Sequence, residues 1–159
     1  MIEQTASRAG ITDAQNRTFR YWVIAAGVYN LLAFVPMALP GLYQNYYNLN
    51  NDLNTALGLG GQPGVPPSEG INMLLVNLGG LVIVGLGFML FYAARDLPHR
   101  WGIPVINALT RLAALGLLWY YVAVEDVARV MLLFGLVDIL FIAVFLYYGA
   151  KMRGAASAG

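Results

Sequence analysis

Long apolar stretches alternate with short polar segments along the chain. Four of them cover residues 19–39, 71–94, 103–124 and 127–148. Each has at least the ~20 residues that a helix needs to cross about 30 Å of hydrocarbon. None shows the two-residue alternation of a barrel strand, and a helix satisfies its own backbone hydrogen bonds in lipid. The pattern therefore predicts four membrane-spanning helices.

A fifth periodic segment, residues 42–57, lies between the first two spans. Apolar residues recur in it at three- and four-residue spacing while asparagines occupy the other faces, which predicts an amphipathic helix. Three roles are open: the helix lies in the membrane plane, covers the mouth of the bundle, or is a surface helix that shortens the loop. Its apolar positions are Leu42, Tyr46, Leu49, Leu53 and Leu57.

The predicted fold class is all-α, an integral membrane four-helix bundle with the amphipathic helix in its first extracytoplasmic loop. The four-helix transmembrane domain covers residues 19–149 and includes an outer loop at 40–70. An N-terminal segment, 1–18, precedes it, and a tail, 150–159, follows it. We expect the first 16 residues and the tail after Gly154 to be disordered, because they are small, polar and without periodicity.

The positions of the positive charges predict the orientation of the chain. Of its nine Lys and Arg residues, all except Arg111 and Arg129 lie before or at the beginning of the first span, between the second and third spans, or after the fourth. These three segments share one side, which the positive-inside rule assigns to the cytoplasm. Both termini are therefore predicted to be cytoplasmic.

Composition supports a membrane protein and excludes several classes of function. Apolar residues make up 59% of the chain and charged residues 11%, whereas soluble domains carry about 25% charge. The net charge of +1 and the scattered Lys and Arg residues indicate no nucleic-acid partner. With no Cys and one His, His99, no metal site is predicted. No catalytic constellation is evident, so the sequence favours a non-enzymatic protein.

Two ionisable residues lie deep inside predicted spans, where a charge costs a few kcal/mol and therefore suggests a function. From the cytoplasmic ends, Arg111 lies roughly 12 Å and Asp138 roughly 16 Å deep on neighbouring antiparallel helices. We expect them to form an intramembrane ion pair. Asn30 falls near the same depth on the first helix, and Asn107 lies one turn from Arg111. Asn77, nearer the outer side of the second helix, completes the candidates for a polar layer or ligand site.

Two interpretations of this layer stay open. In the structural one, polar contacts fix the register of the helices, each contributing about 0.6 kcal/mol. In the functional one, the layer lines a wet cavity and binds a ligand or moves a proton. No cofactor is predicted from the residues themselves.

Four short features carry a family resemblance. They are Tyr29-Asn30 followed by Pro36 in the first span, Phe91 to Pro98 at the end of a Gly-rich second span, Arg111 in the third, and Gly135 to Phe141 in the fourth. Through these features, the segment from Arg20 to Tyr148 resembles the DoxX-like group of small four-helix proteins of the bacterial inner membrane. The chain differs from that group in its long Tyr- and Asn-rich outer helix and in its lack of Cys.

The resemblance implies a multi-pass protein of the bacterial inner (cytoplasmic) membrane. Relatives in that group are hydrophobic subunits or accessories of redox systems, including quinone-linked sulfur oxidation and amine-dehydrogenase maturation. For this chain, the resemblance implies an accessory or assembly subunit of a redox-linked membrane complex, with the lipid bilayer and a membrane protein or a second copy as partners. The alternatives are a protein that binds a quinone or another small lipophile at the polar layer, and a small transporter or channel component.

Overall fold

Four long helices dominate the fold. The computed structural model describes residues 11–156 and contains no strand within that range. The long helices are α1 (Asp13–Ala38), α3 (Gly70–Ala94), α5 (Gly102–Val124) and α6 (Met131–Ala156), and the short ones are α2 (Tyr43–Ala56) and α4 (Leu97–Arg100). Each long helix is long and apolar enough to cross a membrane. The prediction of four such helices is confirmed, and the chain is a multi-pass membrane protein.

Two segments that were expected to be disordered are partly helical. α1 begins at Asp13, ahead of the apolar run, because Thr12 and Gln15 form a capping box. The Thr12 hydroxyl accepts from the N–H of Gln15 at 3.2 Å, and the Gln15 side chain accepts from the N–H of Thr12 at 3.0 Å. α6 likewise continues past Gly154 to Ala156. The rest of the expected disorder, residues 1–10 and 157–159, lies outside the described residues.

Glycines bring α1 and α3 into close contact. A Cβ at Gly80 would lie 2.5 Å from the backbone nitrogen of Ala38. About two turns further along α3, Gly87 faces Gly27 of α1, and a Cβ on either glycine would lie 3.1 Å from the carbonyl oxygen of the other. Such close approach provides contact area where lipid supplies no hydrophobic drive. α5 packs along α6, and the two helix pairs meet where α1 contacts α6 and α3 contacts α5.

The bundle has a basic end and an acidic end. At the basic end α1 and α5 begin, α3 and α6 finish, and Phe19 is fully buried against the rings of Phe145 and Tyr148. This end carries Arg17, Arg20, Arg95, Arg100, Lys151 and Arg153, partly offset by Asp13 and Asp96. The acidic end carries Asp52, Glu69, Glu125, Asp126 and Arg129. Which end faces the cytoplasm stays a prediction from the charge pattern.

α2 folds onto the acidic end through its asparagines. Asn54 is buried, donates to the carbonyl of Gly60 at 3.0 Å and accepts from the N–H of Val130 at 2.9 Å. Asn51 forms two hydrogen bonds of 2.8 Å with the backbone of Gly64. The helix face that carries Asn50, Asn51 and Asn54 therefore lies against the rest of the protein, and the leucines do not. Within the apolar stripe, Tyr46 is half-buried and Leu42, Leu49, Leu53 and Leu57 are exposed.

The segment after α2 pairs with the turn between α5 and α6. The backbone of Gln62 donates to the carbonyl of Asp126 at 2.6 Å and accepts from the N–H of Ala128 at 3.0 Å. This pairing explains why α6 begins at Met131 rather than at 127. Gly61 is required here, because its φ is +84° and a Cβ would lie 2.7 Å from the carbonyl oxygen of Val127.

The variant Asn54→Leu is expected to release this segment from the bundle. Leucine has a similar size but neither donates nor accepts, so the buried N–H of Val130 loses its partner, at about 1–3 kcal/mol. The Gly60 carbonyl keeps its hydrogen bond from the N–H of Arg129. Hydrogen exchange at Val130 should accelerate by about tenfold or more. The control Asn48→Leu changes an exposed position of the same helix and should leave that rate unchanged. Equal rates in the two variants would contradict the role given to Asn54.

Candidate functional site

A buried guanidinium joins three helices in the middle of the bundle. Arg111 lies on α5 and is 7% exposed. Its Nε donates to Oδ1 of Asn107, one turn earlier on α5, at 2.8 Å. Its two terminal nitrogens donate to Oδ1 of Asp138 on α6 and to Oδ1 of Asn30 on α1. Three side-chain oxygens thus converge on one cation.

Asn30 extends this network to the fourth long helix. Its amide nitrogen donates to the carbonyl oxygen of Ile83 on α3 at 3.3 Å, while its oxygen accepts from Arg111. The side chain is 2% exposed, so both of its hydrogen-bonding groups are removed from lipid. We call Asn30, Asn107, Arg111 and Asp138 the polar layer. Hydrogen bonds of this layer link all four long helices.

Two aromatic rings flank the cation. Cζ of Arg111 lies 5.0 Å from the ring centroid of Phe141 and 5.6 Å from that of Tyr29. A cation within about 6 Å of a ring centroid is attracted by the negative face of the ring. The rings and the carboxylate together reduce the cost of a charge at this depth.

A cavity of about 90 Å³ adjoins the polar layer. It can hold roughly three water molecules, or the oxygen-bearing end of a larger molecule, since a water takes up about 30 Å³. Thr110 and Ala114 on its rim are exposed, so the cavity reaches the surface of the bundle. The four residues of the polar layer line it together with Phe34, Ile83, Leu86, Thr110 and Ala114.

Some hydrogen-bonding groups of Arg111 and Asp138 are not used within the polar layer. A guanidinium has five N–H groups, and among residues 11–156 three of those of Arg111 have acceptors. Asp138 accepts through Oδ1 alone from the same part of the chain, and its side chain is 19% exposed. Two N–H groups and Oδ2 of Asp138 thus remain available to water or a ligand.

The structure places one candidate, Asn77, outside the polar layer. Its amide nitrogen donates to the carbonyl oxygen of Met37 at 2.7 Å and so provides a partner for a carbonyl at the end of α1. Two neighbours of the cation were not identified from the sequence, Tyr29 and Phe141. Phe141 follows Asp138 by three residues, a spacing that places both side chains on one helix face. This spacing could have identified Phe141 from the sequence.

A second titratable pair lies at the basic end, outside the membrane-spanning helices. Nδ1 of His99 lies 2.9 Å from Oδ1 of Asp96. This hydrogen bond lowers the pKa of Asp96 below its ordinary value, against a smaller opposing effect of desolvation. Because the pKa of Asp96 is lower in the folded chain than in the unfolded chain, the ionised carboxylate stabilises the fold. This stabilisation is fully present above the pKa of the unfolded chain and is lost as the pH falls through the pKa of the folded chain.

The variant His99→Ala is therefore expected to raise the pKa of Asp96 toward the ordinary value of about 3.9. Carbon NMR of the Asp96 carboxyl during an acid titration measures the change. The midpoint should move to higher pH in the variant. An unchanged midpoint would show that His99 does not stabilise the carboxylate.

Comparison with protein-family models, with curated proteins and with solved structures finds no match for this chain. The class that the fold and site define is a multi-pass α-helical membrane protein with an ion pair inside its bundle. The resemblance to the DoxX-like group stays a prediction.

Proposed function

We propose that this chain binds a small lipophile through an oxygen atom at the polar layer, and that the ligand class is a quinone. The observation that carries the proposal is the cavity beside Arg111 and Asp138. An ion pair that only joins helices needs neither an adjoining cavity nor unused donors. Here both occur together, and the cavity reaches the surface of the bundle where lipid-soluble molecules arrive.

The chemistry of the cavity suits both redox forms of such a ligand. A quinone carbonyl accepts hydrogen bonds, which the free N–H groups of Arg111 can donate. A quinol hydroxyl donates one, which Oδ2 of Asp138 can accept. Phe34, Ile83 and Leu86 supply apolar walls for a ring, as in most small-molecule sites. Because the cavity is small, the oxygen-bearing edge of the ring enters it and the tail of the ligand extends toward lipid.

Retention of decylubiquinol, kept reduced with dithionite, by the purified protein in detergent tests this proposal. After gel filtration, the wild type should retain the quinol, and Asp138→Asn should retain about fivefold less, the effect of one lost hydrogen bond of roughly 1 kcal/mol. Asparagine keeps the size of the residue and an oxygen that accepts from Arg111. The amide nitrogen that replaces Oδ2 donates hydrogen bonds and cannot accept one from a quinol hydroxyl.

The matched control is Thr110→Val, which lines the same cavity. The Thr110 hydroxyl donates to the carbonyl oxygen of Ile106 at 3.0 Å, within its own helix, so the control should retain the quinol like the wild type. Equal retention by Asp138→Asn and the wild type would contradict the proposal. Loss of helical circular dichroism in Asp138→Asn would instead support a structural role for the pair.

A second function, a non-enzymatic accessory or assembly subunit of a redox-linked membrane complex, is supported by a different observation. The asparagines hold α2 against the bundle and turn its leucines outward, with Leu49 58% exposed. Exposed apolar residues in a row on a polar helix are typical of an interaction site. The partner is a membrane protein or a second copy of the chain.

Gentle solubilisation of native membranes tests this second function. The wild type should purify with a stoichiometric partner, and the double variant Leu49→Gln/Leu53→Gln should purify without it. Asn45→Gln/Asn48→Gln, at exposed polar positions of the same helix, should keep the partner. Recovery of the wild type alone would count against an accessory role.

A further inference from the structure

Three of the four seams between neighbouring long helices are filled. The helices pack in the cyclic order α1, α3, α5, α6, and glycines bring α1 and α3 into contact. Between α5 and α6, a Cβ at Gly135 would lie 2.9 Å from Cδ1 of Leu115, so these helices also meet closely. Aromatic rings fill the seam between α1 and α6, where the centroid of Phe141 lies 6.2 Å from that of Trp22 and 5.8 Å from that of Tyr29.

The fourth seam, between α3 and α5, is the side on which the cavity beside the polar layer opens. α3 contributes Ile83 and Leu86 to the wall, and both are half-buried. α5 contributes Thr110 and Ala114, and both are exposed. The members of each pair are three or four residues apart, so they lie on one face of their helix. Large side chains on α3 therefore lie across the seam from small ones on α5.

This opening lies at the depth of the hydrocarbon core. Ala114 is near the middle of α5 (Gly102–Val124), and Ile83 is near the middle of α3 (Gly70–Ala94). Both helices are long and apolar enough to cross a membrane, and the hydrocarbon of a bilayer is about 30 Å thick. The middle of each helix therefore lies among acyl chains. A ligand that uses this opening arrives from within the membrane and not from water.

We propose that a quinone or quinol enters the cavity sideways from the hydrocarbon core, between α3 and α5, and that the small side chains of Thr110 and Ala114 keep this route open. The inference rests on the proposed quinone site and adds to it the route of access. Ala114 follows Arg111 by three residues, so its side chain lies on the helix face that leads to the guanidinium. A larger group at position 114 would therefore stand between the lipid and the polar layer.

Alkylation of a single thiol at the opening tests the proposal. The chain has no Cys, so Ala114→Cys introduces one thiol in place of a small side chain. This variant should retain decylubiquinol after gel filtration like the wild type. After reaction with N-ethylmaleimide and removal of the reagent, the variant should retain about tenfold less, because the added group obstructs the opening.

The neighbouring residue provides the matched control. Ala113 is exposed on α5 and points about 100° away from Ala114 around the helix. Alkylated Ala113→Cys should retain the quinol like the wild type. The wild type treated with N-ethylmaleimide controls for effects of the reagent itself.

Protection of the thiol gives a second measurement, which needs no added group to be accommodated in the fold. Decylubiquinone should slow the alkylation of Ala114→Cys by about fivefold once roughly four-fifths of the sites are filled, and it should not slow that of Ala113→Cys. Decylbenzene has the same tail without the ring oxygens, so it should protect neither thiol.

The possible failures are distinguishable. If the wild type retains no quinol, the proposed quinone site is wrong and the route falls with it. If the wild type and alkylated Ala114→Cys retain quinol equally, the site stands and the route is wrong. Equal protection by decylbenzene would also overturn the route, because the opening would then hold any apolar chain.

Discussion

Asp138→Ala is expected to lower the free energy of unfolding by about 3–5 kcal/mol, because it leaves the buried guanidinium of Arg111 without its counter-ion. Asn30 and Asn107 would still accept from Arg111, but neither carries a charge. Unfolding in mixed detergent and SDS micelles, followed by circular dichroism, measures the change. A loss below about 1 kcal/mol would contradict a buried pair.

Two comparison variants locate the cause of this loss. Arg129→Gln breaks the exposed pair of Arg129 with Asp126, whose N···O distance is 3.9 Å, and should change stability by less than about 1 kcal/mol. The double variant Arg111→Leu/Asp138→Leu should lose less than Asp138→Ala, because no unpaired charge remains in the bundle. A double variant that is less stable than Asp138→Ala would show that packing, rather than charge, dominates at this site.

Gly80→Ala is expected to lower the free energy of unfolding by about 3 kcal/mol, the upper part of the usual range for overpacking. The added Cβ would lie 2.5 Å from the backbone nitrogen and 2.9 Å from Cα of Ala38, and it would lie 2.6 Å from the carbonyl carbon of Met37. These backbone atoms of α1 cannot rotate away as a side chain can. α1 and α3 must therefore separate at this crossing, and the same detergent titration measures the cost.

The neighbouring residue provides the control for this prediction. A Cβ at Gly79 meets nothing within 4 Å, so Gly79→Ala should raise stability by about 0.5–1 kcal/mol through helix propensity alone. Identical substitutions at adjacent positions thus have opposite expected signs. Similar effects at both positions would contradict the close contact between α1 and α3.

The depth of a residue in a membrane helix can be predicted from the sequence, because the rise per residue is constant. Similar depth on neighbouring antiparallel helices led to the expectation that Arg111 and Asp138 pair, and the two are hydrogen-bonded in the structure. The direction in which a residue faces is harder to predict. α3 is apolar all round, so its pattern does not show which neighbour Asn77 meets. Asn77 contacts the end of α1 instead of the polar layer.

The face by which α2 contacts the bundle could not be predicted for a related reason. In water, a leucine stripe faces the protein, because burial removes apolar surface from solvent. Beside a bilayer, an outward position can be apolar as well, so hydrophobicity does not decide between the faces. The hydrogen bonds of Asn51 and Asn54 to the following segment, and of Asn54 to Val130 before α6, decide it, and those contacts depend on tertiary structure. The early start of α1, by contrast, was predictable from Thr12 and Gln15.

Cysteine labelling in spheroplasts tests most directly whether the bundle crosses the membrane with its basic end inside. The chain has no Cys, so Asp52→Cys and Arg95→Cys each introduce a single thiol at an exposed position, one at each end. A membrane-impermeant maleimide is expected to label Asp52→Cys in intact spheroplasts and Arg95→Cys only after permeabilisation. Labelling of Arg95→Cys in intact spheroplasts would contradict this orientation.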